Sequence, residues 1–338
     1  MTKLPIRLPR ESMPSLAVIG AGISGLICAR TLQDHGLSVK VFEKSRGVGG
    51  RMSTRRTDDA LHFDHGAQYF TARDALFRGY VKALQHEGVV AAWLGRIIVL
   101  QKGVTIDQNE STVRFVAVPG MNSICQHMAT DLSIEYQTKV APPRRLLGRW
   151  WLASEDGTEL GAYDMVIISA PAPQTAQLLR DVPELAEQAD RVEMSGCWAV
   201  MLALEESLAL PFDAAFIHQS PLSWIARNNS KPNRSPEPET WILHASPEWS
   251  ETNLERSAEQ VAADLLEEFW RSIGTQPRAI KYITAHRWRF ALPTSPLESR
   301  CLFDTGLQVG ACGDWCGGPR VEGAFLSGAA VADRLLGL

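Results

Sequence analysis

The sequence predicts an α/β fold: a nucleotide-binding α/β domain assembled from separated stretches of chain, with an α+β domain inserted into it. Three observations predict it. An apolar stretch, Leu16-Ala17-Val18-Ile19, runs directly into Gly20-Ala21-Gly22-Ile23-Ser24-Gly25 and a helical pattern reaching about His35. A second apolar stretch over 38–42 ends on an acid, Glu43. A further strand-loop-helix pattern closes the chain over 307–330. Contributions to one domain from both ends of a chain require that domain to be discontinuous in sequence.

The first element is a strand, a glycine turn and a helix start in the order that a dinucleotide needs. Gly20 permits the tight turn, Gly22 lets backbone approach a pyrophosphate, and Gly25 allows close packing of helix on strand, while the helix start offers free N–H groups of Ala21 to Ser24 to an anion. Glu43 follows at about the ~20-residue offset at which an acid takes the hydroxyls of an adenosine ribose. Next comes a second glycine-rich loop with two arginines, Lys44-Ser45-Arg46-Gly47-Val48-Gly49-Gly50-Arg51-Met52, placed to grip phosphates from the other side.

The closing element has an apolar strand ending at Ala311, then Cys312-Gly313-Asp314, a glycine-proline loop, and Val321-Glu322-Gly323-Ala324-Phe325-Leu326 opening a helix. A helix N-terminus stabilises nearby negative charge by roughly 0.3–2 kcal/mol, which suits a reduced cofactor ring.

Together these segments resemble the large FAD family that includes the amine oxidases, in which the Gly-Gly-Arg loop lies along the FAD pyrophosphate. The resemblance implies a Rossmann-like FAD-binding domain of the p-hydroxybenzoate hydroxylase and amine oxidase type, binding FAD non-covalently. It assigns cofactor contacts to Gly20, Ala21, Gly22, Ile23, Ser24, Gly25, Glu43, Lys44, Gly49, Gly50, Arg51 and Met52, and at the C-terminus to Gly313, Asp314, Glu322, Gly323 and Ala324. Val140 is implied to touch the adenine through its backbone.

Two further segments, Phe63-Asp64-His65-Gly66-Ala67-Gln68-Tyr69-Phe70 and His286-Arg287-Trp288-Arg289-Phe290-Ala291, are similar to the renalase branch of that superfamily, and the likeness spans nearly the whole chain. It implies that Gln68, Tyr69 and Phe70 pass beneath the isoalloxazine ring and that Trp288 lines the substrate cavity. Renalases oxidise isomeric dihydro forms of NAD or NADP, with O2 reoxidising the flavin to give H2O2. Hydride transfer from an electron-rich dihydropyridine needs stacking and alignment but no general base, so no residue is singled out as acid or base. A substrate with a pyrophosphate and two riboses calls for cations and donors, for which Arg287, Arg289, Arg227, Asn228 and His244 are candidates. The preferred isomer and the choice of NAD or NADP parent stay open.

Other readings stand beside this one. An amine oxidase typically keeps a lysine near flavin N5 on a central strand of the substrate domain, and the matching strand around Ser195-Gly196-Cys197-Trp198-Ala199-Val200-Met201 has none. An NAD(P)H-dependent hydroxylase would carry an Asp-Gly segment in mid-chain, and a non-catalytic FAD-binding module would not be reduced by any small substrate. Cys312 and Cys316 could form a redox pair or a flavin anchor, but disulfide reductases usually place their pair near the N-terminal part of the FAD domain.

Domain limits follow from the motifs. The FAD-binding domain takes 14–72, 111–172 and 285–338; the substrate domain takes 73–110 and 173–284. Strands are expected over 113–118, 134–140, 150–154, 164–169, 198–204 and 240–245, with helices over 120–130 and 257–272, the latter with Val261, Leu265, Leu266 and Phe269 on one face. The proline-rich 228–239 reads as a surface excursion. A chain of 338 residues suits two domains, and its net charge of −4 argues against nucleic acid or an anionic membrane as partner. No apolar run nears the ~18 residues of a membrane span, and 1–15 lacks an apolar signal core, so a cytoplasmic location is expected. The six cysteines have no zinc spacing, and no metal is expected.

Overall fold

The computed structural model describes residues 14–106 and 112–337. Its first sheet has the order 302–304, 309–311, 165–168, 15–19, 38–42, 133–135, parallel except for Leu302–Asp304 at one edge. Leu16, Ala17, Val18, Val166, Ile167 and Ile168 are all fully buried, as a parallel sheet covered on both faces requires. Alternation divides them. Leu16, Val18 and Ile167 pack under helices Ile23–Asp34, Ala75–His86 and Arg320–Leu336. Ala17, Ile19, Val166 and Ile168 pack under helices Ala172–Leu178 and Pro183–Asp190 and the antiparallel meander Arg144–Leu146, Arg149–Ala153, Glu159–Tyr163.

The second sheet has seven strands in the order 280–293, 194–204, 240–245, 222–227, 214–218, 97–101, 104–106. Pairing is antiparallel except between Ile97–Gln101 and Ala214–His218. Helix Ala258–Ile273 covers one face, its Leu265 and Phe269 packed with Trp198, Val200 and Leu243. Ser257 caps the helix, accepting the Gln260 N–H at 3.3 Å, and Gly274 ends it at φ 67°. The other face turns toward the nucleotide-binding sheet.

This architecture divides the chain differently from the expected limits. Strand Ile280–Pro293 runs uninterrupted through 284/285, because ten of its residues pair with Met194–Leu204. Helix Ala75–His86 joins the nucleotide-binding side, with Phe77 and Phe325 rings 5.0 Å apart, and helices Ala172–Leu178 and Pro183–Asp190 also stay there. The limit expected at 110/111 and the segment 1–13 lie outside the described residues. The stretch 228–239 is also no simple surface excursion: Asn228, Lys231 and Glu239 are at most 5% exposed.

Candidate active site

Short backbone bonds bring the glycine loops together. The Gly20 N–H donates to Phe42 O at 2.8 Å, and the Gly49 N–H donates to Ala21 O at 2.9 Å, pinning the second loop to the first. Gly49 sits at φ 123°, a conformation that side chains oppose. Gly22 caps helix Ile23–Asp34 with no side-chain bond, and a Cβ placed on it would meet nothing within 4 Å. The unpaired N–H groups of the first helical turn therefore face open space. Glu43 is 6% exposed at the end of the neighbouring strand, where its oxygens accept the Ala21 N–H at 2.8 Å and the Ser45 N–H at 2.7 Å. Each oxygen keeps a lone pair for a ligand hydroxyl. This open cradle with a buried acid beside it fits FAD.

The cradle is one end of a cavity of about 2370 Å³, more than twice the ~1,000 Å³ upper range of ordinary ligand pockets. It has room for FAD and a second large ligand. Every predicted cofactor residue lines it except Ala21, Gly25 and Gly323. Ala21 offers its N–H to Glu43 instead; Gly25 packs against the Gly20 carbonyl and Ser169, and Gly323 against the Gly318 carbonyl.

Several predicted ligand groups already hold protein partners. Arg51 and Asp314 form a bidentate ion pair at 2.7 and 2.8 Å, with Arg51 also donating to Ala291 O at 3.0 Å. Glu322 accepts the Arg73 and Asp74 N–H groups at 2.6 and 2.8 Å, tying the last helix to the start of Ala75–His86. Arg287 and Arg289 line the cavity, but both are bonded to Glu255, at 2.8 and 2.6 Å. Asn228 and Arg227 do not line it: Asn228 is bonded to His62 O at 3.0 Å, and Arg227 to the Leu210 and Phe212 carbonyls at 3.1 and 2.8 Å.

The opposite wall is one face of the seven-stranded sheet. Ala199 pairs with His286 on one side and His244 on the other; His244 pairs with Trp224, and Trp224 with Phe216. Cross-strand partners share a face, so His286, His244, Trp224 and Phe216 form one row, with Ala199 as its low point. Trp288, two residues from His286, lies on the same face. Its indole N–H donates to His65 O at 3.0 Å, and its ring is 4.4 Å from His286 and 4.9 Å from His65. Tyr69 continues the aromatic lining 5.6 Å from Trp224. Burial pulls His65 from 6.5 to about 3, helped by His286 and Arg55, and pulls His244 to about 4. These imidazoles are neutral at neutral pH.

Comparison with known proteins gives the same picture. A family model described as an NAD(P)-binding Rossmann-like domain matches residues 18–84. The chain is 25% identical to renalase of Mus musculus over 307 residues, 85% of this chain and 88% of the relative. Over most of its length it is thus similar to renalase, and its fold is that of the FAD-dependent amine oxidases. Flavin-containing amine oxidase B of Cavia porcellus shares 44% identity, but over 59 residues, 18% of this chain and 11% of that one. The fold of putrescine oxidase bound to putrescine matches with a TM-score of 0.68 at 13% identity, over 96% of this chain and 99% of that one. An oxidoreductase from Methanosarcina mazei matches with a TM-score of 0.72 at 17% identity, over 94% and 100%. These likenesses support a FAD-dependent oxidase for the renalase-like chain. Among its described residues, no helix is long and apolar enough to cross a membrane, and no cluster of metal-ligating side chains occurs.

Sequence reasoning missed His65, His286, Trp224 and Lys231. The first two stood inside quoted segments, yet only the register shows which face they share. Cys312 and Cys316 are both free and buried, burial pushes both thiols up, and Cys316 does not line the cavity of this renalase-like chain.

Proposed function

We propose that this oxidase acts on dihydronicotinamide dinucleotides reduced at ring position 2 or 6. The ring C–H would break with its electron pair to leave NAD+ or NADP+; the hydride would pass to FAD held by the glycine loops, Glu43 and the turn 64–70, and O2 with one proton from solvent would take up the two electrons as H2O2. Bound FAD supplies the two-electron acceptor. The protein's part is to stack and align the ring and to exclude water.

Support comes above all from the sheet wall. It presents imidazole, indole and phenyl faces, and the carboxylates lining the cavity, Glu43, Glu155, Asp314 and Glu322, lie outside that sheet. Oxidation of an alkylamine starts from an ammonium with pKa ~10 that must lose a proton. Imidazoles at about 3 and about 4 are poor acceptors for it. A dihydropyridine gives up its hydride and becomes an aromatic cation with no proton to remove. The cavity volume also suits a dinucleotide beside FAD.

The test is anaerobic mixing of the yellow holoprotein with 2-dihydroNAD and 6-dihydroNAD, and separately with primary amines, polyamines and ordinary NAD(P)H. Rapid bleaching of the flavin by a dihydro isomer is expected, and the faster isomer is the preferred substrate. Bleaching by an amine alone would replace this reading with amine oxidation, and bleaching by NAD(P)H alone would replace it with a reductase.

A further inference from the structure

Behind the cavity wall lies a buried ionic cluster. Asp64 is 0% and Lys231 2% exposed. Arg234 donates to Asp64 Oδ2 through Nη2 at 2.7 Å and Nε at 3.3 Å, while Asp64 Oδ1 accepts the Thr54 hydroxyl at 2.7 Å and the Met121 N–H at 2.9 Å. Asp64 is therefore satisfied without a second cation. Burying an ammonium costs several kcal/mol, so the presence of Lys231 calls for another reason.

That reason is Gln68, which lines the cavity. Lys231 Nζ donates to Gln68 Oε1 at 3.2 Å, and more distantly to Asp64 Oδ2 and Asn228 Oδ1, both at 3.4 Å. The Gln68 amide NH2 donates to the Asp64 and Gly66 carbonyls. Carbonyls only accept and an ammonium only donates. The amide can sit only one way round: turned over, its oxygen would face two carbonyls and its NH2 an ammonium.

We infer that Lys231 is a positioning residue for the cofactor wall: its ammonium locks the Gln68 amide, and with it the turn 64–70, in the shape against which FAD binds. The inference rests on FAD as the cofactor and not on which substrate is oxidised. Lys231→Met keeps the length and volume of the side chain, and leaves Asp64 with Arg234, Thr54 and Met121. The Kd of FAD for the full-length protein is expected to rise about tenfold, equivalent to ~1.4 kcal/mol, with a changed flavin circular dichroism spectrum.

A double-mutant cycle separates this role from a structural one. In a Gln68→Leu background the same lysine substitution is expected to change FAD affinity less than about twofold, because no amide remains to be held. An equal loss in both backgrounds, or no loss in the parent, overturns the inference. If Lys231→Met does not fold, Gln68→Leu alone decides: it leaves the buried ions in place, and wild-type FAD affinity in that variant overturns the inference too.

Discussion

Trp288 is gripped from three directions. Its N–H is spent on the His65 carbonyl, its ring is wedged between His286 and His65, and its six-membered ring stands over Gly66 at a distance that a Cβ there would find tight, 3.4 Å. An indole held this firmly can stack on a nicotinamide ring without further loss of side-chain freedom. Trp288→Ala removes the stacking surface but none of the bonds that join the glycine loops. The variant is expected to keep its flavin-to-protein ratio, while kcat/KM for the dihydro substrate falls by about two orders of magnitude, as misplacement of a reacting ring does. Unchanged turnover would take Trp288 out of the site. The same scale explains why Arg287 and Arg289 are weak candidates for the substrate phosphates: both guanidiniums are committed to Glu255.

Among the elements, the two helices at the dinucleotide cradle make opposite use of glycine. Gly328 brings helix Arg320–Leu336 against Ile23–Asp34 so closely that a Cβ would overlap the Ser24 carbonyl and stand 2.6 Å from Ile27. Gly22 faces open space with an ordinary φ of −76°. Gly328→Ala is therefore expected to lower stability by about 1–3 kcal/mol through overpacking, read as a drop in thermal midpoint. Gly22→Ala is expected to leave the FAD-free midpoint unchanged and to weaken FAD binding, because its methyl group fills the space that the cofactor backbone contact needs. A common loss of stability in both would mean that the cradle is closed in solution. Such local elements were legible in the sequence: Thr240–Ala245 and the amphipathic helix ending at Ile273 follow from short-range pattern alone. Strand Ile280–Pro293 was not, since its cavity face alternates His286, Trp288 and Phe290 with arginines and hides the apolar signal. Lys231 was hidden differently, in a proline-rich stretch that reads as solvent-facing until Asp64, distant in sequence, supplies its counter-charge.

At the scale of the whole molecule, two sheets enclose a cavity whose seven-stranded wall carries histidines that burial holds neutral, and this couples folding to pH. The folded pKa values of His65 and His244, about 3 and about 4, lie below the 6.5 of an unfolded chain. Between those values the unfolded chain binds more protons, so this contribution to stability is complete above about pH 6.5 and is lost as the pH falls toward about 4. Each group can remove up to ~1.4 kcal/mol per pH unit inside its window. Asp64, held at about 2 against 3.8 by Lys231 and Arg234 despite its burial, acts in the same direction only below about pH 4. The thermal midpoint is thus expected to fall between about pH 6 and 4, before the buried carboxylate contributes. Surface carboxylates add their own slope at the acid end, and His244→Phe isolates the imidazole: it keeps a ring in the sheet row but cannot take a proton. Its stability is expected to decline less steeply than wild type over that window. Equal slopes in the two proteins would mean that His244 titrates near its ordinary value and that water reaches the sheet wall.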